Sequence, residues 1–212
     1  NLSLDIDKGE SIGIIGTTGS GKSTLIDIIL GFLPPTQGTF EIDGRDIHDK
    51  KFPDRLARWQ NTITYVPQNI FLIDSSIKEN IAYGIPPDEI DFELVKECSK
   101  KAKINQFIES TPRGYDTYVG ERGIKLSGGQ IQRIGIARAL YKNTKVFIFD
   151  EATSALDYKT ELDVIKSIKS FNKKVTIILI AHRLNTIIDC DRVIDIEFGQ
   201  IKRIIKGNEL EI

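Results

Sequence analysis

The sequence has 212 residues, 40% of them apolar, which is enough for one compact unit with a sizeable core. Its 29 basic residues nearly balance its 30 acidic residues, so the charge gives no reason to expect nucleic acid or a lipid surface as a partner. The apolar run at residues 175–181 is far shorter than the roughly 20 residues of a membrane helix, and no secretory signal is present.

Hydrophobic patterning predicts strands that alternate with helices. Strands are predicted at 2–7, 11–16, 38–44, 62–68, 145–150, 174–182, 191–197 and 200–206. Helices are predicted at 22–33, 53–60, 76–83, 88–103, 104–110, 128–142, 158–170 and 184–188. Apolar strands that alternate with helices indicate an α/β fold with a parallel sheet, and the last two strands indicate an antiparallel hairpin at its edge. The helical block at 69–143 interrupts this alternation, so we expect an inserted helical subdomain between core segments 1–68 and 144–212.

A glycine-rich stretch, "GTTGSGKST", lies between a predicted strand and a predicted helix. It fits the phosphate-loop pattern G-x-x-x-x-G-K-[ST]. The glycines let successive N–H groups curl around phosphates, Lys22 adds positive charge, and the Ser23 hydroxyl is a ligand for Mg²⁺. The candidate nucleotide-binding residues are Gly16, Thr17, Thr18, Gly19, Ser20, Gly21, Lys22, Ser23 and Thr24. The loop predicts a nucleoside triphosphate ligand, which kinases, GTPases, motors and transporters all share.

Two acidic residues end the apolar strand "VFIFDE". Asp150 is placed to hold Mg²⁺, through water or through Ser23, as the acidic residue of a phosphate-loop site does. Glu151 is placed to take a proton from an attacking water. Gln68 ends a predicted strand and taken alone signals almost nothing, and a lone histidine such as His182 at the end of an apolar strand is more often structural.

The start of the helix predicted at 128–142 carries two glycines, Gly128 and Gly129. Glycine costs about 1 kcal/mol relative to alanine inside a helix, so their presence needs a reason. With Ser127 as the helix cap, a bare backbone at a helix N-terminus allows close approach of an anion.

These motifs together resemble the nucleotide-binding domain of ABC transporters over essentially the whole chain. The stretch "GTTGSGKST" is similar to Walker A, "VFIFDE" to Walker B with its following glutamate, and "LSGGQ" to the family signature. Gln68 is similar to the Q-loop, "SALD" at 154–157 to the D-loop, and His182 to the H-loop. The fold implied by this resemblance is a RecA-like P-loop NTPase.

The resemblance implies ATP and Mg²⁺ as ligands and a role for each matching residue. Glu151 is similar to the catalytic base, His182 to the residue that contacts the γ-phosphate, and Gln68 to the sensor of Mg²⁺ and water. Ser23, Gln68 and Asp150 form the implied metal set. The implied signature residues, which face the ATP of a second copy in a head-to-tail dimer, are Leu126, Ser127, Gly128, Gly129 and Gln130. Asp157 resembles the aspartate that communicates across that dimer.

The stretch "TYVGERGIKLSGGQ" resembles exporters more than importers. In such proteins the ATPase domain follows the membrane helices, and a fused transmembrane domain would explain the absence of methionine from this chain. The resemblance therefore implies a second ABC domain and a transmembrane domain as partners, with no nucleic acid. It implies a location at the cytoplasmic face of a cell membrane, the bacterial inner membrane first.

Three alternatives stay open at this stage. They are an importer-type ABC subunit, a soluble ABC ATPase acting on nucleic acid or ribosomes, and a phosphate-loop kinase, which would leave "LSGGQ" unexplained. The family also uses an aromatic residue that stacks on adenine before the phosphate loop. Residues 1–15 contain no aromatic residue, so we expect it upstream of Asn1.

Overall fold

A computed structural model describes residues 2–153, 155–171, 175–181 and 184–209. The strands are β1 (Ser11–Ile15), β2 (Glu41–Ile42), β3 (Arg45–Asp46), β4 (Ile63–Val66), β5 (Val146–Asp150), β6 (Thr176–Ile180), β7 (Arg192–Glu197) and β8 (Gln200–Lys206). The α-helices are α1 (Lys22–Ile29), α2 (Asp54–Gln60), α3 (Ile77–Ile81), α4 (Phe92–Lys101), α5 (Asn105–Ser110), α6 (Gly128–Tyr141), α7 (Tyr158–Phe171) and α8 (Leu184–Ile187).

Six of the described strands form one sheet in the order β4-β5-β6-β1-β7-β8. The central strand β1 pairs in parallel with both β6 and β7, whereas β8 pairs with β7 in the antiparallel direction. Strands β2 and β3 form a separate hairpin. The predicted α/β fold, with a mostly parallel sheet and an antiparallel edge, is therefore confirmed.

The apolar strands predicted from sequence supply the core of this sheet. Ile12 and Ile14 of β1 have no exposed surface, and they pack in one cluster with Ile26 of α1 and with residues of β6 and β7. Because β1 is covered on both faces, its sequence is a continuous apolar run rather than an alternating one. The phosphate-loop sequence thus follows a strand whose first four residues, Ser11 to Ile14, are buried.

Chain contacts divide the molecule into two units. The first unit consists of residues 1–65, 144–148 and 174–212 and holds the phosphate-loop sequence. The second consists of residues 66–143 and 149–173 and holds Gln68, Glu151 and the "LSGGQ" sequence. No helix within the described ranges is both long and apolar enough to cross a bilayer.

Two strand predictions were wrong in part. Residues 2–7 show the predicted alternation of half-buried and exposed side chains, and Leu2, Leu4 and Ile6 pack against the core, but the segment is not a strand. The strand predicted at 38–44 shrinks to Glu41–Ile42. Alternation reports which side chains face the core, whereas a strand also needs a hydrogen-bonded neighbour, and the described residues offer none to 2–7.

Candidate functional site

The phosphate-loop sequence lies between β1 and α1, as predicted. Gly16, Gly19 and Gly21 have φ angles of 151°, 80° and 105°, a region in which side chains are strained. The loop wraps around the Lys22 ammonium, whose Nζ donates to the carbonyls of Gly16 at 2.7 Å and Thr17 at 2.9 Å. These carbonyls hold the positive charge at the loop, where it is available to an anion.

The helix behind this loop begins without a cap. Gly21 occupies the N-cap position of α1, and no side chain among the described residues accepts a hydrogen bond from the first turn. The first turn, from Lys22 to Leu25, also contains no acidic residue. The first N–H groups of α1 are therefore left for an external acceptor, which suits a phosphate.

The outer side of the loop is open. Thr17, Thr18 and Gly19 are exposed, and a Cβ added to Gly19 would meet nothing within 4 Å. The Ser23 and Thr24 side chains at the start of α1 are exposed as well, so the Ser23 hydroxyl is accessible to a metal ion. The residues present fit a Mg²⁺-bound nucleoside triphosphate.

In the second unit, the structure brings two predicted residues together. Glu151 directly follows β5, and its carboxylate Oε2 accepts a hydrogen bond from Gln68 Nε2 at 2.9 Å. Glu151 has a φ of 51°, an unusual backbone conformation for a glutamate. Such conformations are costly and cluster at functional sites, where the surrounding structure maintains them. Gln68 and Glu151 are thus held as a pair at the end of the strand.

The signature sequence forms the start of α6. The Ser127 Oγ accepts from the Gln130 N–H at 3.3 Å, and Gln130 Oε1 accepts from the Ser127 N–H at 2.8 Å, so the two residues form a capping box. The predicted cap at Ser127 is confirmed. Leu126 is half-buried, whereas Ser127 and Gly128 are exposed, and the Ser127 hydroxyl keeps its own proton for donation.

The structure adds a second reason for the glycines of α6. A Cβ on Gly129 would lie 3.1 Å from the carbonyl oxygen of Ala155, and a Cβ on Gly128 would lie 3.6 Å from the Ala155 Cβ. The signature therefore packs against the D-loop of its own chain. Sequence reasoning also missed Gln132, which is 6% exposed and accepts from the Ala155 N–H at 2.9 Å. A glutamine among the apolar residues of a helix was the available signal.

The D-loop itself is held at both ends. The Asp157 carboxylate accepts from the Thr160 N–H at 3.0 Å and from its hydroxyl at 2.6 Å, which caps the start of α7. These two bonds lower the pKa of Asp157, because both favour its ionised form. At the other end, the hydroxyl of Thr153 donates to the buried carboxylate of Glu161. Residue 154 and the predicted site residue His182 lie outside the described residues.

The sequence profile of the ABC transporter family matches residues 1–154. The chain belongs to the ABC transporter family. Membership implies that its phosphate loop binds a nucleotide.

Individual ABC proteins agree with this assignment. ABC transporter B family member 17 of Arabidopsis thaliana is 46% identical over 201 residues, which cover 95% of this chain and 16% of that protein. The leukotoxin translocation ATP-binding protein LktB of a Pasteurella haemolytica-like species is 46% identical over 210 residues, or 99% of this chain and 29% of that protein. The chain thus spans less than a third of either relative.

A solved structure matches the fold closely. The structure of a bacterial Atm1-family ABC exporter with ATP bound superposes with a TM-score of 0.89 at 39% identity, covering 98% of this chain and 36% of that one. The predicted resemblance to exporter-type ABC domains is therefore confirmed.

Proposed function

We propose that this ABC domain binds and hydrolyses ATP to drive export through a transmembrane domain. The observation that carries the proposal is the hydrogen bond between Gln68 and Glu151 at the end of β5. A phosphate loop alone accounts for binding, whereas hydrolysis also needs a base that activates water. Glu151 is a carboxylate in a constrained conformation with a polar partner, which suits that task.

Each candidate site residue has a distinct role in phosphoryl transfer to water. The backbone of residues 16–24 and the Lys22 ammonium bind the phosphates, and the uncapped start of α1 adds its partial positive charge. Ser23, Gln68 and Asp150 are the side chains that would hold Mg²⁺. When bound, Mg²⁺ would neutralise the charge that develops on the phosphate oxygens. Glu151 accepts the proton of water, and His182 orients the γ-phosphate.

The second proposed element is a head-to-tail dimer. The signature residues Leu126 to Gln130 would face the nucleotide bound by a second ABC domain, and Asp157 would lie near the same interface. The exposed Ser127 and Gly128 at the start of α6 support this role, because they leave the helix N-terminus accessible from outside the chain. The names of LktB and of the Atm1-family structure support an exporter, and their greater length leaves room for a fused transmembrane domain. A location at the cytoplasmic face of a membrane is part of the same proposal.

The substitution Glu151→Gln tests the proposal. It keeps the shape of the side chain and removes the base, so we expect ATP hydrolysis to fall roughly 100-fold or more while Mg-ATP binding is retained. The matched control is Glu93→Gln, the same chemical change at an exposed glutamate that pairs with Lys96 on α4. It is expected to leave hydrolysis unchanged. Near-normal hydrolysis by Glu151→Gln, alongside an active parent, would refute the assignment of the base.

A further inference from the structure

The turn between β7 and β8 contacts the phosphate loop. Glu197 and Gln200 close the hairpin, and the two residues between them, Phe198 and Gly199, have φ angles of 50° and 72°. Two positive φ angles in a two-residue hairpin loop are typical of a type I′ turn. The Gly199 N–H donates to the carbonyl oxygen of Ser20 at 2.8 Å. Ser20 is 3% exposed, so this bond lies on the inner side of the phosphate loop.

The glycines of the phosphate loop are of two kinds. A Cβ on Gly16 would lie 2.3 Å from the carbonyl oxygen of Ile196, and a Cβ on Gly21 would lie 3.3 Å from the Gly199 Cα. A Cβ on Gly19 would meet nothing within 4 Å. Gly16 and Gly21 are thus the positions at which β7 and its turn approach the loop most closely. Gly19 faces the side that is open to a ligand.

The hydrogen bond from Gly199 fixes the orientation of a whole peptide unit and not only of the Ser20 carbonyl. The Ser20 carbonyl and the Gly21 N–H belong to the same peptide unit, which is planar and trans. In such a unit the carbonyl and the N–H point in opposite directions. Because the carbonyl is bound to the turn, the Gly21 N–H is directed away from the turn, which is the orientation needed to donate to a ligand rather than to the protein.

We propose that Gly199 is a positioning residue for nucleotide binding: its N–H holds the Ser20–Gly21 peptide so that the Gly21 N–H faces the phosphates. The inference rests on the proposed function, since it requires the loop to bind phosphate. Without the bond, the peptide is free to rotate and must be reordered when the ligand binds. A single hydrogen bond of this kind corresponds to a change in affinity of roughly 3- to 10-fold.

A second turn in the same unit provides a matched control. Asp43 and Gly44 join β2 to β3 with φ angles of 50° and 70°, so this turn has the same geometry as the turn at Gly199. In both turns a Cβ on the glycine would meet nothing within 4 Å. Proline fixes φ near −65° and lacks an N–H, so Gly199→Pro and Gly44→Pro impose the same damage on equivalent hairpins.

The experiment compares the affinities of the wild-type chain, Gly199→Pro and Gly44→Pro for Mg-ATP and for inorganic triphosphate, with thermal unfolding as a check on folding. We expect Gly199→Pro to bind both ligands roughly 3- to 10-fold more weakly than Gly44→Pro, because the bond acts on phosphate rather than on the base. Equal affinities of the two variants would overturn the inference and leave the proposed function intact. Absence of ATP binding by the wild-type chain would overturn the proposed function itself.

Amide exchange in the unsubstituted chain tests the same point without risk of misfolding. ATP should slow exchange of the Gly199 amide, because a bound ligand stabilises the peptide that accepts its hydrogen bond. The Gly44 amide should exchange at the same rate with and without ATP. If ATP has no effect on the Gly199 amide while binding is saturated, the turn does not position the loop.

Discussion

The N-termini of α1 and α6 differ in whether a side chain of the protein caps them. Helix α1 begins behind the phosphate loop with no side-chain cap among the described residues, whereas α6 begins with the capping box of Ser127 and Gln130. Both first turns lack acidic residues, as do those of the short helices α5 and α8, while those of α2, α3, α4 and α7 each contain one. The difference fits a ligand held by α1 within its own chain and a ligand that reaches α6 only with a partner.

Helix α3 shows what an ordinary cap in this molecule looks like. Its box pairs Ser76 with Glu79, and the hydroxyls of Ser75 and Ser76 also donate to the Glu79 carboxylate, which lowers the pKa of Glu79 to about 2. In α6 the corresponding residue is the neutral Gln130. Glutamine keeps the geometry of the box without placing a negative charge where a phosphate is to bind.

The largest expected effect comes from blocking the start of α6 while leaving the phosphate loop before α1 intact. Ser127→Arg fills the space in front of α6, so ATP-dependent dimer formation should be lost, measured by light scattering in the Glu151→Gln background. The affinity of the monomer for ATP should stay unchanged, because its own phosphate loop is intact. Ser127→Thr, which keeps a good cap, is the control and should dimerise. An equal loss of monomer binding would mean that the signature serves the site of its own chain.

The reciprocal substitution is Lys22→Ala. It removes the ammonium that donates to the Gly16 and Thr17 carbonyls, so ATP affinity of the monomer should fall roughly 10- to 150-fold, the range for a hydrogen bond to a charged group. Calorimetric titration measures this change, with Lys8→Ala at an exposed position as the control. Unchanged affinity would mean that α1 and its loop are not part of the nucleotide site.

The smallest expected effect comes from adding a negative charge to the capping box of α6, in which Gln130 is neutral. Gln130→Glu places a carboxylate in the first turn of α6, which should raise the free energy of unfolding by about 0.3–1 kcal/mol. The same charge should oppose the partner's phosphate, so several-fold more ATP should be needed for half-maximal dimerisation. Glu79→Gln on α3 is the inverse change and should lower stability without altering dimerisation. If Gln130→Glu dimerises like the parent, the absence of an acidic residue from the first turn of α6 has another cause.

Much of the fold was predictable because its signals are local. The apolar run of β1, the glycines of the loop and the helical spacing after Lys22 follow one another in sequence, and the structure places β1 and α1 there. The strand predicted at 2–7 failed because pairing depends on a neighbour that the alternation of its own residues does not reveal.

The contacts within the candidate site were less accessible from sequence. The Gln68–Glu151 bond joins residues 83 positions apart, and the Gly199–Ser20 bond links the β7–β8 hairpin to the phosphate loop. Motifs identify such residues singly, but which of them meet is decided by the order of strands in the sheet. The packing of Gly129 against Ala155 is of the same kind: the sequence showed an unusual glycine, and the fold supplied one of its causes.

The most direct test of the head-to-tail account mixes two inactive chains, Lys22→Ala and Ser127→Arg. Each alone should hydrolyse little ATP, because Lys22→Ala damages the loop of every site and Ser127→Arg prevents two copies of the same chain from pairing. In a mixed dimer, one site combines the intact loop of the Ser127→Arg chain with the intact signature of the Lys22→Ala chain. Mixing the two should therefore restore ATP hydrolysis, whereas a chain carrying both substitutions should restore none when mixed with either. A mixture that stays as inactive as its components would contradict the head-to-tail account.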